Sequence, residues 1–202
     1  MPWKPLEHPV PWEGLERSLP RFVHAEDSFR IPPPLPANYH AQLFYNIGLR
    51  EVLDPATLNA VPYGWRFLTS VSPAAAVYVN SAGSATGVSF GEGINQAREA
   101  SAALAERIPV NSETAAAVDP SVYEVRVLRI NGLSIEGYWL KATEPDADLF
   151  VPYLTLGTTF NGRPLAPDHA YPLLSFLGQL QAQAKELLDF PPVQRPYPPG
   201  VR

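Results

Sequence analysis

A serine between two glycines is the residue of this sequence with the clearest capacity for chemistry. The segment Gly87-Val88-Ser89-Phe90-Gly91 matches the G-x-S-x-G pattern of a nucleophile elbow, and a helix is predicted directly after it. That order would place the serine Oγ at a helix N-terminus, where a backbone N–H can stabilise an oxyanion. The pattern is therefore compatible with a small serine hydrolase.

Such a hydrolase also needs a general base and an acid that orients it. His169 is the only histidine after Ser89, and the acids in the expected order are Asp119, Asp146 and Asp148, of which we assign Asp148. The residues just before the elbow are small and polar, whereas a buried apolar strand normally delivers the nucleophile. The pentapeptide is more simply explained as a turn and helix cap, so the hydrolase stands as an alternative function.

Other patterns associated with phosphate or metal binding are incomplete. The glycines between Gly83 and Gly93 lie before a helix, but no G-K-[ST] follows them. The four histidines are far apart, and the acidic run from Glu144 to Asp148 lacks the glycine and the final glutamate of a calcium loop. The sequence therefore predicts no metal ion and no cofactor.

The prolines of this chain concentrate at its two ends. There are 24 prolines in 202 residues, and they disfavour helices and central strands where they cluster. We therefore predict an extended arm over residues 1–37, a single domain over residues 38–190 and a tail over residues 191–202. Aromatic rings within the arm are costly to leave in water, which indicates that the arm docks on a folded surface.

The docking surface belongs either to this molecule, to a second copy or to another protein. Arg30 to Pro36 satisfies the R-x-x-P-x-x-P arrangement of a polyproline helix, which binds aromatic grooves and is extended before it binds. The residues predicted to contact a partner are Trp3, Trp12, Phe29, Arg30, Pro33, Leu35, Pro36 and Tyr197.

The composition excludes several classes of partner. The formal net charge is -5 with few lysines, which argues against nucleic acid and anionic membranes as partners. The longest apolar run, Ala74 to Val79, is far too short to span a bilayer, so a soluble, cytoplasmic protein is expected. Cysteine is absent, which excludes disulfides and thiolate chemistry. Charged residues make up only 17% of the chain. Either a surface covered by a partner or a surface made polar by Ser, Thr, Asn and Gln would explain that deficit.

Periodicity and turn signals predict an α+β fold, a mainly antiparallel sheet with about three helices on one side. The Asn131-Gly132 pair predicts a two-residue hairpin turn in which Ile130 opposes Leu133. The predicted helices cover residues 38–53, 92–108 and 170–190, and the predicted strands cover residues 65–71, 75–80, 86–90, the two arms of the hairpin over 122–142, and 148–154.

The leading functional hypothesis is a non-enzymatic accessory, assembly or immunity-type protein that acts through protein–protein contacts of its arms. The serine hydrolase is one alternative. A small-ligand binding domain, lined by the tyrosine and tryptophan of the hairpin, is the other.

Overall fold

The computed structural model describes residues 8–21, 23, 31–32, 36–55, 62–70, 72–106, 122–144, 146–155, 159–160, 163–164 and 169–189. These residues include four α-helices and ten strands. The helices are α1 (Trp12–Ser18), α2 (Leu49–Leu53), α3 (Glu92–Glu106) and α4 (Leu173–Asp189). The strands are β1 (Tyr39–Ile47), β2 (Gly64–Thr69), β3 (Ala75–Asn80), β4 (Ala85–Phe90), β5 (Tyr123–Ile130), β6 (Ile135–Ala142), β7 (Leu149–Thr155), β8 (Thr159–Phe160), β9 (Arg163–Pro164) and β10 (Tyr171–Pro172). Short 3₁₀ helices cover Leu19–Arg21 and Pro36–Asn38.

Eight of these strands form one sheet in the order β10-β7-β6-β5-β1-β2-β3-β4. All neighbours are antiparallel except β1 and β5, which run parallel at the centre. The predicted α+β class and the mainly antiparallel sheet are confirmed. The sheet consists of two halves of similar order, each made of four antiparallel strands followed by a helix. The first half is β1 to β4 with α3, and the second is β5, β6, β7 and β10 with α4. The parallel pair of β1 and β5 joins the two halves.

Both faces of the sheet are buried, so the expectation of helices on one side was wrong. Side chains alternate along β1: Leu43 and Tyr45 face a core that includes residues of α1, α2 and α4, whereas Phe44 faces a core that includes residues of α3. We call these the α4-side core and the α3-side core. Buried side chains therefore lie on both faces of the sheet, as expected for a sheet that is covered on two sides.

The sheet curves around α3. Only Gly91 separates β4 from this helix, yet Gly93 packs against Leu154 of β7, with 3.7 Å between its ideal Cβ position and the leucine methyl groups. Five strands lie between β4 and β7 in the sheet. The α3 face must therefore be concave, with the helix inside the curve.

Residues 39–47 form β1, which corrects the predicted helix over residues 38–53. Their apolar positions fit a helical stripe, but the segment pairs with β2 on one side and β5 on the other. Only Leu49–Leu53 is helical. The two ladders of backbone hydrogen bonds and the burial of both side-chain faces outweigh local helix propensity here.

The hairpin of β5 and β6 has a four-residue loop instead of the predicted two-residue turn. Ile130 opposes Ile135, so the pairing differs from the prediction by two residues, and each side chain keeps its face. Leu133 is buried in the α4-side core, and the Asn131 N–H donates to the Ile47 carbonyl at 2.8 Å. These two contacts hold the wider loop against the end of β1.

The other predicted elements correspond to β2, β3, β4, α3, β7 and α4, with small differences at their ends. The last helix begins at Leu173, because Tyr171 and Pro172 pair with β7. None of the helices in the described ranges combines the length and apolar character needed to cross a bilayer.

The N-terminal segment is helical over Trp12–Ser18, which corrects the prediction that the whole arm is extended. The helix fits between Pro11 and Pro20, where no proline interrupts it. The Trp12 ring meets the Phe67 ring edge-on at 5.0 Å, and Leu15 is fully buried in the α4-side core. This part of the arm docks on the protein's own sheet.

We expect the buried hydroxyl of Tyr39 to make the protein less stable at alkaline pH. Its hydroxyl donates to the Pro32 carbonyl at 2.7 Å, and desolvation by burial raises its pKa to about 12. An unfolded tyrosine ionises near pH ~10, so this contribution to stability is present below that pH and is lost as pH rises through about 12.

Urea unfolding midpoints of wild type and Tyr39→Phe between pH 8 and 12 test this expectation. The difference in unfolding free energy between the two proteins should shrink as pH rises. An unchanged difference across that range would contradict it.

Candidate functional site

The residues of the hydrolase alternative lie on different elements. Ser89 lies on β4 and His169 just before β10, the two edge strands of the sheet, and no hydrogen bond between the two side chains is found among the described residues. The His169 ring instead packs edge-on against the Tyr171 ring at 4.7 Å.

Asp148 is committed to a structural role. Its Oδ2 accepts hydrogen bonds from Trp139 Nε1 at 2.8 Å and Lys141 Nζ at 3.0 Å, and its Oδ1 accepts from the Ala142 N–H at 3.0 Å. These contacts brace β6 against the start of β7. The three hydrogen bonds given for Asp148 thus join it to β6, and none of them goes to His169.

A cleft of about 620 Å³ opens between α3 and the sheet, and we call it the α3 cleft. The helix contributes one wall, the start of β1 and the start of β5 contribute the other, and Ser70 follows the end of β2. The lining residues are His40, Ala41, Gln42, Ser70, Arg98, Glu99, Ser101, Ala102, Leu104, Ala105 and Val125.

Gln42 is the buried polar residue of this lining, and both ends of its amide are held. Its Oε1 accepts from Arg66 Nε at 3.0 Å and from Arg66 Nη2 at 2.7 Å. Its Nε2 donates to the Tyr138 hydroxyl at 3.4 Å, and that hydroxyl donates to the Ala97 carbonyl of α3 at 2.7 Å. The floor of the cleft is thus fixed to both the sheet and the helix.

Arg66 is the centre of this buried network and has no exposed surface. Its Nη1 lies 2.8 Å from Glu136 Oε1 and also donates to the Tyr153 hydroxyl, and its Nη2 donates to the Tyr138 hydroxyl at 3.2 Å. The guanidinium also lies over the rings of Tyr138 and Tyr153, at 5.6 and 5.4 Å from their centroids. These partners replace the water that burial removes.

Two guanidinium groups share the single carboxylate of this network. Arg129 Nε donates to Glu136 Oε2 at 2.5 Å, while Glu136 Oε1 binds Arg66. Desolvation lowers the pKa of Arg66, but Tyr153, Tyr138 and Glu136 raise it more, so the net pKa lies above its usual value. Burial raises the pKa of Tyr153 as well. The network therefore holds a net positive charge behind the cleft floor.

The predicted partner-binding residues are placed only in part. Trp12 is partly buried against Phe67 of the protein's own sheet, and Pro36 begins a 3₁₀ helix. The remaining six, Trp3, Phe29, Arg30, Pro33, Leu35 and Tyr197, lie outside the described residues. Within the ranges described above, no group of three or more His, Asp or Glu side chains is arranged to hold a metal ion.

Sequence reasoning missed Gln42 and Arg66. A signal was present: each is a polar residue enclosed by apolar neighbours, in Ala41-Gln42-Leu43 and in Trp65-Arg66-Phe67. A charge in such a run must be paired when it is buried. The pattern indicates a buried partner, although it does not identify Glu136.

No known protein family, curated protein or solved structure matches this chain.

Proposed function

We propose that this protein acts by binding and that the α3 cleft is its site for a small organic molecule. The observation that carries the proposal is the cleft itself, whose volume of about 620 Å³ falls within the ~300–1,000 Å³ typical of small-molecule sites. A ligand with an apolar body and one or two polar groups matches such a lining.

The chemistry of the walls supports this class of ligand. Ala102, Leu104, Ala105 and Val125 offer apolar surface for the body of the molecule. The polar groups on the lining are those of His40, Gln42, Ser70, Arg98, Glu99 and Ser101. Because Gln42 is held at both ends of its amide, the floor is preorganised and loses little entropy when a ligand binds.

Blocking the cleft should abolish ligand-induced stabilisation. A thermal-shift screen of wild type against a metabolite library should identify a ligand; at a hundredfold excess over Kd it stabilises by ~2.7 kcal/mol, or about 5–10 °C in Tm for a chain of this size. Ala102→Trp places an indole in the cleft and should remove that shift.

Ala103→Trp is the matched control, because Ala103 is an exposed neighbour on α3 that does not line the cleft. It should retain the full shift. Equal shifts in both variants, or no ligand in the screen, would contradict the proposal.

The accessory role through protein–protein contact is our second candidate function. The observation that favours it is the unprotected edge of β4, which is described in the next subsection. The contacts predicted for the proline-rich arms remain a prediction, to be tested by comparing the oligomeric state of the full chain and of a chain lacking residues 1–7 and 191–202.

A further inference from the structure

The two edges of the sheet differ in how they are protected. One edge is β10, which is two residues long, includes a proline and leads directly into α4. The other is β4, whose six residues, Ala85–Phe90, include no proline and no charge. Natural proteins usually blunt an edge by shortness, proline, charge, a β-bulge or a covering element. By these criteria β10 is blunted along its whole length, whereas among the described residues the protection of β4 is confined to its start.

Within the part of the chain that the structure describes, the outer edge of β4 is bonded at its start. There the Ala85 N–H donates to Ser18 Oγ at 2.7 Å beside α1. A register irregularity opposite Tyr78 and Val79 affects the same end. From Gly87 to Phe90 the pairing with β3 is regular, and no hydrogen bond joins the outer side of these residues to any other described residue.

We propose that β4 pairs antiparallel with β4 of a second copy of this chain, across a two-fold axis at Ser89. The pairing would join two eight-stranded sheets into one. It would give the second candidate function a defined partner, and it does not depend on the α3 cleft.

A second copy is the favoured occupant because the strand is complementary to itself. An antiparallel two-fold interface brings the same surface together from both subunits. A charged edge would oppose like charges across the axis, which is destabilising, and β4 has none over Ala85–Phe90. The strand therefore lacks the feature that usually prevents self-pairing.

The register follows from backbone geometry. Directly opposed residues in an antiparallel pair exchange both backbone hydrogen bonds or neither, so both point their N–H and C=O groups in the same sense. These groups alternate along a strand. In a strand that pairs with its own copy, the two-fold axis must therefore lie where a residue faces the same residue of the other copy. With the axis at Ser89, Val88 of each subunit lies opposite Phe90 of the other subunit, which gives two such pairs. Aromatic and β-branched pairs of this kind stabilise sheets.

Val88 and Phe90 are also placed to extend an existing surface. Both are partly buried and pack on the α4-side core of their own subunit. Across the axis their side chains would form one apolar strip that links the two cores. This register stays clear of Ser18 and α1, which lie at the far end of the strand.

The interface is small, so the dimer should be weak and dependent on concentration. Contacts that bury less than ~1,200 Å² are typical of transient association. A covalent trap is therefore the most direct test, and the absence of cysteine from the chain makes any introduced cysteine unique.

Ser89→Cys should form a disulfide-linked dimer under mild oxidation. Opposed residues have Cα atoms about 4.5–5.5 Å apart, within the range that a disulfide spans. Ser175→Cys, on the exposed face of α4, is the control and should remain monomeric at the same concentration. Equal cross-linking of both variants, or none at Ser89→Cys, would overturn the proposed pairing.

A charge variant tests the same interface without a covalent bond. Sedimentation of the full-length wild type should show a dimer fraction that rises with concentration, and Ser89→Lys should raise the apparent dissociation constant at least about tenfold, because two lysines would face each other. Thr86→Lys, exposed on the same strand but outside the paired residues, should leave it unchanged. A wild type that stays monomeric at every concentration would overturn the proposal and leave the ligand assay at the α3 cleft unaffected.

Discussion

Glu136→Gln should lower the free energy of unfolding by about 3–5 kcal/mol, the cost of leaving a buried ion partner unpaired. The variant keeps the shape of the side chain but removes its charge. Arg66 then has no carboxylate in a site without solvent exposure, and Arg129 loses the same partner. The large loss of stability is expected because both arginines depend on the charge of Glu136.

The position of the network gives a second reason to expect a large effect. Arg66 belongs to β2 in the first half of the sheet, whereas Glu136, Tyr138 and Tyr153 belong to β6 and β7 in the second half. These contacts cross the parallel β1–β5 pair that joins the halves. Loss of the Glu136 charge should therefore weaken the connection between the two halves of the sheet as well as two ion pairs.

Asp189→Asn is the matched control for Glu136→Gln. Asp189 pairs with Lys185 at 2.6 Å on the surface of α4, where side-chain exposures of 50% and 67% leave both groups in water. An exposed pair of this kind contributes roughly 0.3–0.5 kcal/mol. Urea unfolding of both variants at neutral pH gives the comparison, and similar losses in the two would show that the buried network is not stabilised through Glu136.

The network also shows where prediction from the sequence succeeds and where it ends. The strands β2, β3 and β7 and the helices α3 and α4 follow from local composition and periodicity, because their own residues determine their type. The helix predicted over β1 was wrong because this segment is a strand through its pairing with β2 and β5, which are separate segments of the sequence. Pairing between separate segments cannot be recognised from the residues of β1 alone.

The candidate sites follow the same division. Ser89 stands out in the sequence because its flanking glycines form a local motif, and the structure places it within the edge strand β4, three residues before α3. Gln42 matters through Arg66 and Tyr138, which are distant in sequence and are brought close only by the order of the strands. The α3 cleft, a product of sheet curvature, could not be predicted from single residues.

The edge of β4 and the N-terminal helix are connected through this same corner of the fold. Gly14 of α1 approaches the turn between β3 and β4 so closely that a Cβ at this position would lie 2.0 Å from the Gly83 carbonyl oxygen. Ser18 then satisfies the Ala85 N–H. The helix thereby covers the first residue of the edge and leaves the regular part of β4 open.

Leu15→Ala should lower the free energy of unfolding by about 2–5 kcal/mol, the range for truncating a large aliphatic side chain in a core. Leu15 has no exposed surface and packs in the α4-side core, although it belongs to the segment that the sequence assigned to a separate arm. The cavity would lie under α1, next to the contact between Trp12 and Phe67.

Glu16→Ala, one residue further along the same helix and exposed, is the control and should change stability by no more than about 0.5 kcal/mol. Urea unfolding with equal m-values in all three proteins makes the two differences comparable. If Leu15→Ala unfolds at the wild-type midpoint, α1 contributes nothing to the core and residues 12–18 belong to the arm; a loss in the expected range makes this helix part of the folded domain, which then begins well before residue 38.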